Sequence, residues 1–389
     1  PIKDLNIRYQ VSMDEYTTDR TELYEYGSGP FSTGQLTNGA LINRGFNSLL
    51  NITYNKQINN MWHVNALAGN ELNDNYMRNI SGTGSGFIIP GFDNIGNAST
   101  QTTGEGIYKN RTVGFYAQAG IDWNSMVYLN VTGRNDYVST MPPGNQSFFY
   151  PSASLSWVFS QLNSLKGRGF FGKLRASYAQ VGAPGTYQVP VYNTGGSGSG
   201  FLNEDIEFPF NGIVGYRQNS TLYDPELKPQ NTNSFELGAD LGFLDNRIRL
   251  EYTYSHQRTI DQIFAIPLAG STGFAQIYKN AGDNQNNVHE ATLTLVPVKS
   301  RDFEWDLTAN FTKVISKVIR LASGVDNIFL GGFVDPQVRA AIGYSYPSIY
   351  GTTFLKNAAG QVEIDDDPNS GTYGMPLGGS DGVIGSVTP

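Results

Sequence analysis

The connections constrain this chain more than the strands they join. Along 389 residues, about eleven segments alternate apolar and polar side chains, the period of a strand whose two faces meet different surroundings. Leu5, Ile7, Tyr9, Val11 and Met13 set the pattern against Asn6, Arg8, Gln10 and Ser12, and it returns near 46–55, 61–72, 112–123, 126–137, 148–160, 171–181, 233–244, 247–260, 285–297 and 303–316. Most are roughly ten residues long, enough to cross a bilayer when tilted. Tight turns (NKQINN at 55–60, NSM at 124–126, LDNR at 244–247, VKSRD at 298–302) alternate with long excursions over 14–45, 73–111, 182–232, 261–284 and 317–389. A medium link, 161–170, and a short loop, 139–147, keep the order. If each strand reverses direction, every tight turn falls on one rim and every long excursion on the other. That asymmetry is the signature of an outer-membrane barrel with short periplasmic turns and long extracellular loops.

Composition agrees with an all-β chain: Gly 45, Tyr 23 and Phe 22 are high and charged residues make up only 15%, with no long helical periodicity. A net charge of -8 argues against nucleic acid, because phosphate binding needs a basic stripe. With no cysteine, disulfides and thiolate metal sites are excluded. No apolar run is long enough for a transmembrane helix. The chain opens on Pro1 with strand-like residues and no signal peptide, so we expect an internal piece of a longer protein.

Alternation alone fits a soluble sandwich as well as a barrel. In FELGADLGFLDNRIRLEYTY (235–254), Phe235, Leu237, Leu241, Ile248 and Leu250 face one way and Glu236, Asp240, Arg249 and Glu251 the other, around a turn at Asp245-Asn246. Strand length and loop sorting favour the barrel, with the apolar face toward lipid and the charged face toward a lumen. The tryptophans suit an aromatic girdle at the periplasmic interface: Trp62, Trp123 and Trp305 lie near tight turns, and Trp157 just before the medium link. Gly238 and Gly242, on the lumen side, are expected to leave room for a plug or a passing solute.

Four ordered blocks resemble the SusC/RagA family of TonB-dependent outer-membrane transporters. TGRNDYVSTMPPGNQSFFYPSASLSWVFS (132–160) carries Arg134, Asp136, Ser139, Thr140, Tyr150, Pro151 and Ser152 at that family's positions. GKLRASYAQVGAPG (172–185) resembles the strand that follows, and LKPQNTNSFELGADLGFLDNRIRLEYTYSHQRTIDQI (227–263) resembles a third block. The fourth, 280–321, has the Asn-Ala-Gly start, Glu290, Phe303-Glu-Trp305 and Asn310-Phe311, and departs from the family at Val288, Val314 and Ser316. The resemblance implies a transmembrane antiparallel barrel of about 22 strands closed by an N-terminal plug, of which residues 1–389 form about half within one barrel domain. It also implies bacterial outer-membrane localisation, TonB-driven import through a plug absent from this chain, contact with membrane lipid, and a SusD-like surface lipoprotein as lid. A dimer of transporter–lipoprotein pairs is compatible with it. The cargo it implies is a nutrient oligomer, a glycan oligosaccharide ahead of an oligopeptide. A surface-exposed binding protein or adhesin without transport activity is the alternative from another class.

No catalytic constellation is present, and no cofactor is expected beyond a weak calcium candidate. His63, His256 and His289 lie on different strands, no GxSxG elbow occurs, and GGSGSG (195–200) lacks the lysine and helix of a phosphate loop. In EIDDDPNSG, Asp365, Asp367 and Asn369 sit at alternating positions like the start of a calcium loop, without its later glycine and glutamate. The aromatic-rich excursion 182–232 supplies substrate-contact candidates Tyr187, Tyr192, Phe201, Tyr216 and Tyr223, whose rings could stack on sugars or peptide side chains. The lumen-facing candidates are Arg134, Asp136, Glu236, Asp240, Arg249 and Glu251.

Overall fold

The computed structural model describes residues 3–29, 31–187, 192–193, 211–332 and 335–387, with backbone alone at 192–193 and 217–218. Eleven long strands make one antiparallel sheet in which sequence neighbours pair in succession. They are β1 Leu5–Tyr24, β2 Gln35–Gln57, β3 Trp62–Phe87, β4 Ala98–Trp123, β5 Val127–Val138, β6 Ser147–Trp157 and β7 Phe171–Ala183. Three short strands follow in the long excursion, β8 Tyr192–Asn193, β9 Arg217–Gln218 and β10 Thr221–Tyr223. The large sheet resumes with β11 Gln230–Phe243, β12 Ile248–Pro267, β13 Gln276–Lys299 and β14 Glu304–Leu321. β11 pairs directly with β7, so the excursion does not interrupt the antiparallel succession, and its β10 joins the sheet as a short parallel partner of β13. β1 and β14 form its two edges, each with a single ladder partner, as expected for part of a barrel rather than a closed one.

The strands outgrow their expected length. β1 to β4 run 20, 23, 26 and 26 residues, because the stretches read as excursions at 14–45 and 73–111 continue the same ladders. Tyr24 still pairs with Gln35, and Phe87 with Ala98. Those extensions lack the apolar alternation that marks lipid contact, so nothing in their side chains announces a strand, although the backbone ladder continues through them.

The tight turns gather on one rim, where their backbones bond from one turn to the next. Asn124 N donates to Met61 O at 2.6 Å, Val158 N to Met126 O at 2.7 Å, Asp245 N to Gly169 O at 3.0 Å and Val296 N to Arg247 O at 2.7 Å. Asn124 and Ser125 both take positive φ, as do Leu244, Asp245 and Asn246, the left-handed geometry that matches the twist of a tight hairpin. Aromatics line this rim in a relay: Trp62 to Trp123 at 6.2 Å between centroids, Trp157 to Phe159 at 5.8 Å, Phe159 to Phe170 at 5.8 Å and Phe170 to Phe243 at 5.3 Å.

The far ends are organised differently. Residues 317–389, read as one long loop, contain a separate four-stranded sheet: β15 Asn327–Gly332, β16 Gln337–Ala341, β17 Ser348–Phe354 and β18 Gly378–Ser386. Phe264, Ala281, Val318 and Leu321 from the tops of β12 to β14 bury against Ile328 and Ala340 of this small sheet. The short loop 139–147 likewise folds under the long excursion, with Met141 and Leu227 fully buried beside Val138.

Candidate functional site

Register sorts the large sheet into two faces. Directly opposed residues share a face, and one row runs Trp62, Trp123, Val127, Trp157, Leu174, Ala239, Tyr252, Ala291, Phe311 from β3 to β14. The adjacent row, on the other face, runs His63, Asp122, Tyr128, Ser156, Arg175, Gly238, Thr253, Glu290, Thr312. Large apolar groups stay solvent-accessible on the first face: Ile7, Val11, Phe115, Val131, Leu155, Leu237 and Phe311 are all exposed. Such a contiguous patch suits a nonaqueous neighbour. At the end away from the turns, this face becomes polar at a similar level on successive strands. Arg44 donates to Glu15 at 2.8 Å, Arg111 pairs with Asp74, Asn135 donates to Ser147 at 3.0 Å and Tyr178 to Asn233 at 3.0 Å. An apolar band bounded by an aromatic rim on one side and polar pairs on the other is the profile of a membrane-spanning sheet.

Arg134, Asp136, Glu236, Asp240, Arg249 and Glu251 all lie on the opposite, polar face. The structure brings Arg134 and Asp136 into one group and Asp240 and Glu251 into a second; Glu236 accepts from its own strand's Ser234, and Arg249 joins neither group. On β3 to β5, Arg134 bridges Glu71 and Asp136 at 2.9 Å each, and its guanidinium lies 5.4 Å from the centre of the Tyr116 ring. Tyr116 in turn donates to Asn51 on β2 at 2.6 Å. Gly114 makes this possible, since a Cβ there would sit 2.5 Å from both Arg134 Nη2 and Asp136 Oδ1.

The second group centres on Arg175, a residue that alternation on β7 places on the polar face but that no motif singles out. Arg175 Nη2 donates to Asp240 at 2.8 Å and to Thr253 at 3.3 Å, and Lys173 approaches the same carboxylate at 3.6 Å. The guanidinium crosses directly over Gly238, 3.0 Å from where a Cβ would be. Gly238 and Gly242 were expected to leave room for a plug or solute; instead Arg175 occupies the first space, and the Asn246 side chain with Phe171 the second. Beside Arg175, Glu251, Thr253, Glu290, Thr292 and Asn310 line a polar hollow of about 380 Å³.

The loop candidates separate. Tyr187 packs edge-on to Tyr223 at 6.4 Å, and Tyr223 stacks on Tyr278 of β13 at 5.2 Å and 11°, so these rings are engaged with one another. Burial raises the Tyr223 hydroxyl pKa, with Tyr278 adding to it. Tyr216 is 65% exposed. Tyr192 has described backbone only, in β8, and Phe201 lies outside the described residues. At 365–369, Asp365 accepts from Asp367 N at 3.1 Å and from Thr372 Oγ1 at 2.6 Å, and Asp367 accepts from Asn369 N at 2.9 Å. These are successive Asx turns. Hydrogen bonds from Ser370 and Thr372 and from the Asp367 backbone hold the Asp365 carboxyl below its usual pKa. Among the described residues, no three His, Cys, Asp or Glu side chains come together as a metal site.

Known proteins share this fold. The family described as TonB dependent receptor-like, beta-barrel matches residues 3–380. TonB-dependent receptor P26 of Formosa agariphila is 26% identical over 83% of this chain and 33% of its own length. TonB-dependent receptor SusC of Bacteroides thetaiotaomicron is 25% identical over 56% of this chain and 22% of its own. Among solved structures, the RagAB peptide transporter superposes with a TM-score of 0.80 at 19% identity, over 100% of this chain and 43% of that one. The chain thus spans about a third of P26 and under half of the solved chain. The chain belongs to the TonB-dependent receptor β-barrel family and forms part of an outer-membrane β-barrel.

Proposed function

We infer that this chain is the barrel portion of a TonB-dependent transporter that imports a nutrient oligomer, an oligosaccharide ahead of an oligopeptide. The family match over residues 3–380 to a sheet with one apolar and one charged face carries this reading. On it, the apolar face meets lipid and the charged face lines a lumen filled by a plug from elsewhere in the full-length protein. A SusD-like lipoprotein serves as lid over the rim of long excursions, where Tyr216 presents an open ring to incoming cargo.

The test is uptake by cells carrying the full-length protein on defined oligosaccharides or oligopeptides, with mass spectrometry of what copurifies from detergent. Co-isolation of a surface lipoprotein and TonB-dependent growth are expected. Replacing Tyr216 by Ala should slow uptake several-fold at limiting cargo. Growth that ignores both the protein and TonB would instead favour an adhesin.

A further inference from the structure

The tight-turn rim carries a charge opposite to that of the chain. Lys56, Lys166, Arg168, Arg247, Lys299 and Arg301 lie in its connections against Asp245 and Asp302, although the whole chain has a net charge of -8. Two of these connections, 161–170 and 244–247, join strands inside the sheet, β6 to β7 and β11 to β12. The backbone bond from Asp245 N to Gly169 O, 3.0 Å, ties the two together and sets Arg168 and Arg247 on adjoining turns. Lys166, Arg168 and Arg247 are exposed, and none of them forms an ion pair among the described residues. The nearby Asp245 carboxylate lies instead against Gly169, 3.0 Å from where a Cβ would be. Arg247 stands on the lipid side, because it lines a hollow of about 260 Å³ with Ile248, Leu295 and Pro297, and the opposed pair Ile248 and Leu295 belongs to the apolar face. Unpaired cations beside hydrocarbon attract an anion.

The apolar face at this same rim offers a place for the rest of such a molecule. Trp157, Leu174 and Ala239 stand in one row, and Leu155, Ala176 and Leu237 in the next row away from the turns. The two alanines leave an apolar groove of about 440 Å³ among the four large side chains. Toward the turns the groove meets the Phe159 ring, which covers Gly172 and continues through Phe170 to Phe243 at 5.8 and 5.3 Å between centroids. Aromatic rings of this kind settle at the headgroup level of a bilayer. Connection 161–170, with Lys166 and Arg168, follows directly. Groove, ring belt and cations therefore succeed one another toward the periplasm, in the order in which a phospholipid of that leaflet presents its acyl chain, glycerol esters and phosphate.

We propose that this rim binds an anionic phospholipid of the periplasmic leaflet, with an acyl chain in the groove and the phosphodiester between Arg168 and Arg247. The site rests on the apolar face meeting lipid and is independent of cargo. Native mass spectrometry of the full-length transporter, delipidated and then offered phosphatidylglycerol or phosphatidylcholine of the same chains, with and without inorganic phosphate, tests it. Phosphatidylglycerol should be retained more tightly than phosphatidylcholine, and inorganic phosphate should not displace it. R168Q/R247Q should weaken retention of phosphatidylglycerol by about fivefold per arginine and bring it to the level of phosphatidylcholine, while R168K/R247K keeps the preference. Ala239→Trp, which fills the groove without changing charge, should weaken retention of both lipids. Equal retention of the two lipids by the parent overturns the proposal, as does an unchanged preference in R168Q/R247Q or full displacement by inorganic phosphate. Retention of neither lipid by the parent would remove the membrane reading of this face along with the site. Loss of a copurifying protein rather than of lipid from R168Q/R247Q would assign the arginines to a protein partner and equally overturn it.

Discussion

Two parts of the molecule extend beyond the membrane band, and they are built on opposite principles. The β3–β4 hairpin prolongs its own ladder: Phe87 still pairs with Ala98, and the side chains along it interact across strands at the surface. Arg78 donates to Glu105 at 2.6 Å and Asn75 to Asn110 at 2.8 Å, with burial confined to a small cluster of Leu36, Phe87 and Ala98 at the tip. The β15–β18 sheet leaves the ladder, and burial of Ile328 and Ala340 against Phe264, Ala281, Val318 and Leu321 holds it. A ladder loses stability gradually, pair by pair, whereas a buried cluster fails together when one member is removed.

That contrast can be broken by substitution. Phe264→Ala should cost about 3 kcal/mol in docking of the small sheet, seen as faster hydrogen exchange over 327–354 with the β3–β4 amides unchanged. Equal loosening of both regions would erase the distinction. Asp283→Asn should act at the same junction but less, about 1 kcal/mol after allowing for its half-exposed Arg320 partner. Burial pushes the Asp283 carboxyl up, but hydrogen bonds from Arg320 and the Asp261 backbone, with the charges of Arg320 and Arg258, outweigh it and leave the pKa lowered. A depressed carboxylate stabilises the folded state above its unfolded pKa, and that contribution is lost as pH falls through the folded value. The small sheet should therefore loosen below about pH 4 in the parent, and this acid sensitivity should shrink in Asp283→Asn. The smallest effect belongs to the hairpin: Arg78→Ala should change its exchange by no more than about 0.5 kcal/mol, because exposed pairs are screened.

Much of the large sheet was legible because lipid enforces a strict rule. Phe235, Leu237, Leu241, Ile248 and Leu250 alternate with Glu236, Asp240, Arg249 and Glu251, and register places each set on its own face. Above the band that rule lapses. Asn75, Arg78, Glu105 and Asn110 form strands without alternation, and residues 317–389 read as loop although 327–386 contains a sheet. Arg175 went unseen for a related reason. Its role depends on Asp240 and Thr253, 65 and 78 residues away, meeting it across two ladders.

The sequence by itself determined the eleven long strands, the tight-turn rim with its tryptophans and the division into apolar and charged faces. Each of these follows from local periodicity and turn chemistry, which neighbouring residues carry among themselves. Only the tertiary structure decided which charges meet over Gly114 and Gly238, how far the outer hairpins run and that the last excursion is a sheet. Those features depend on register between strands far apart in the chain, and register is set by backbone pairing that no single strand encodes.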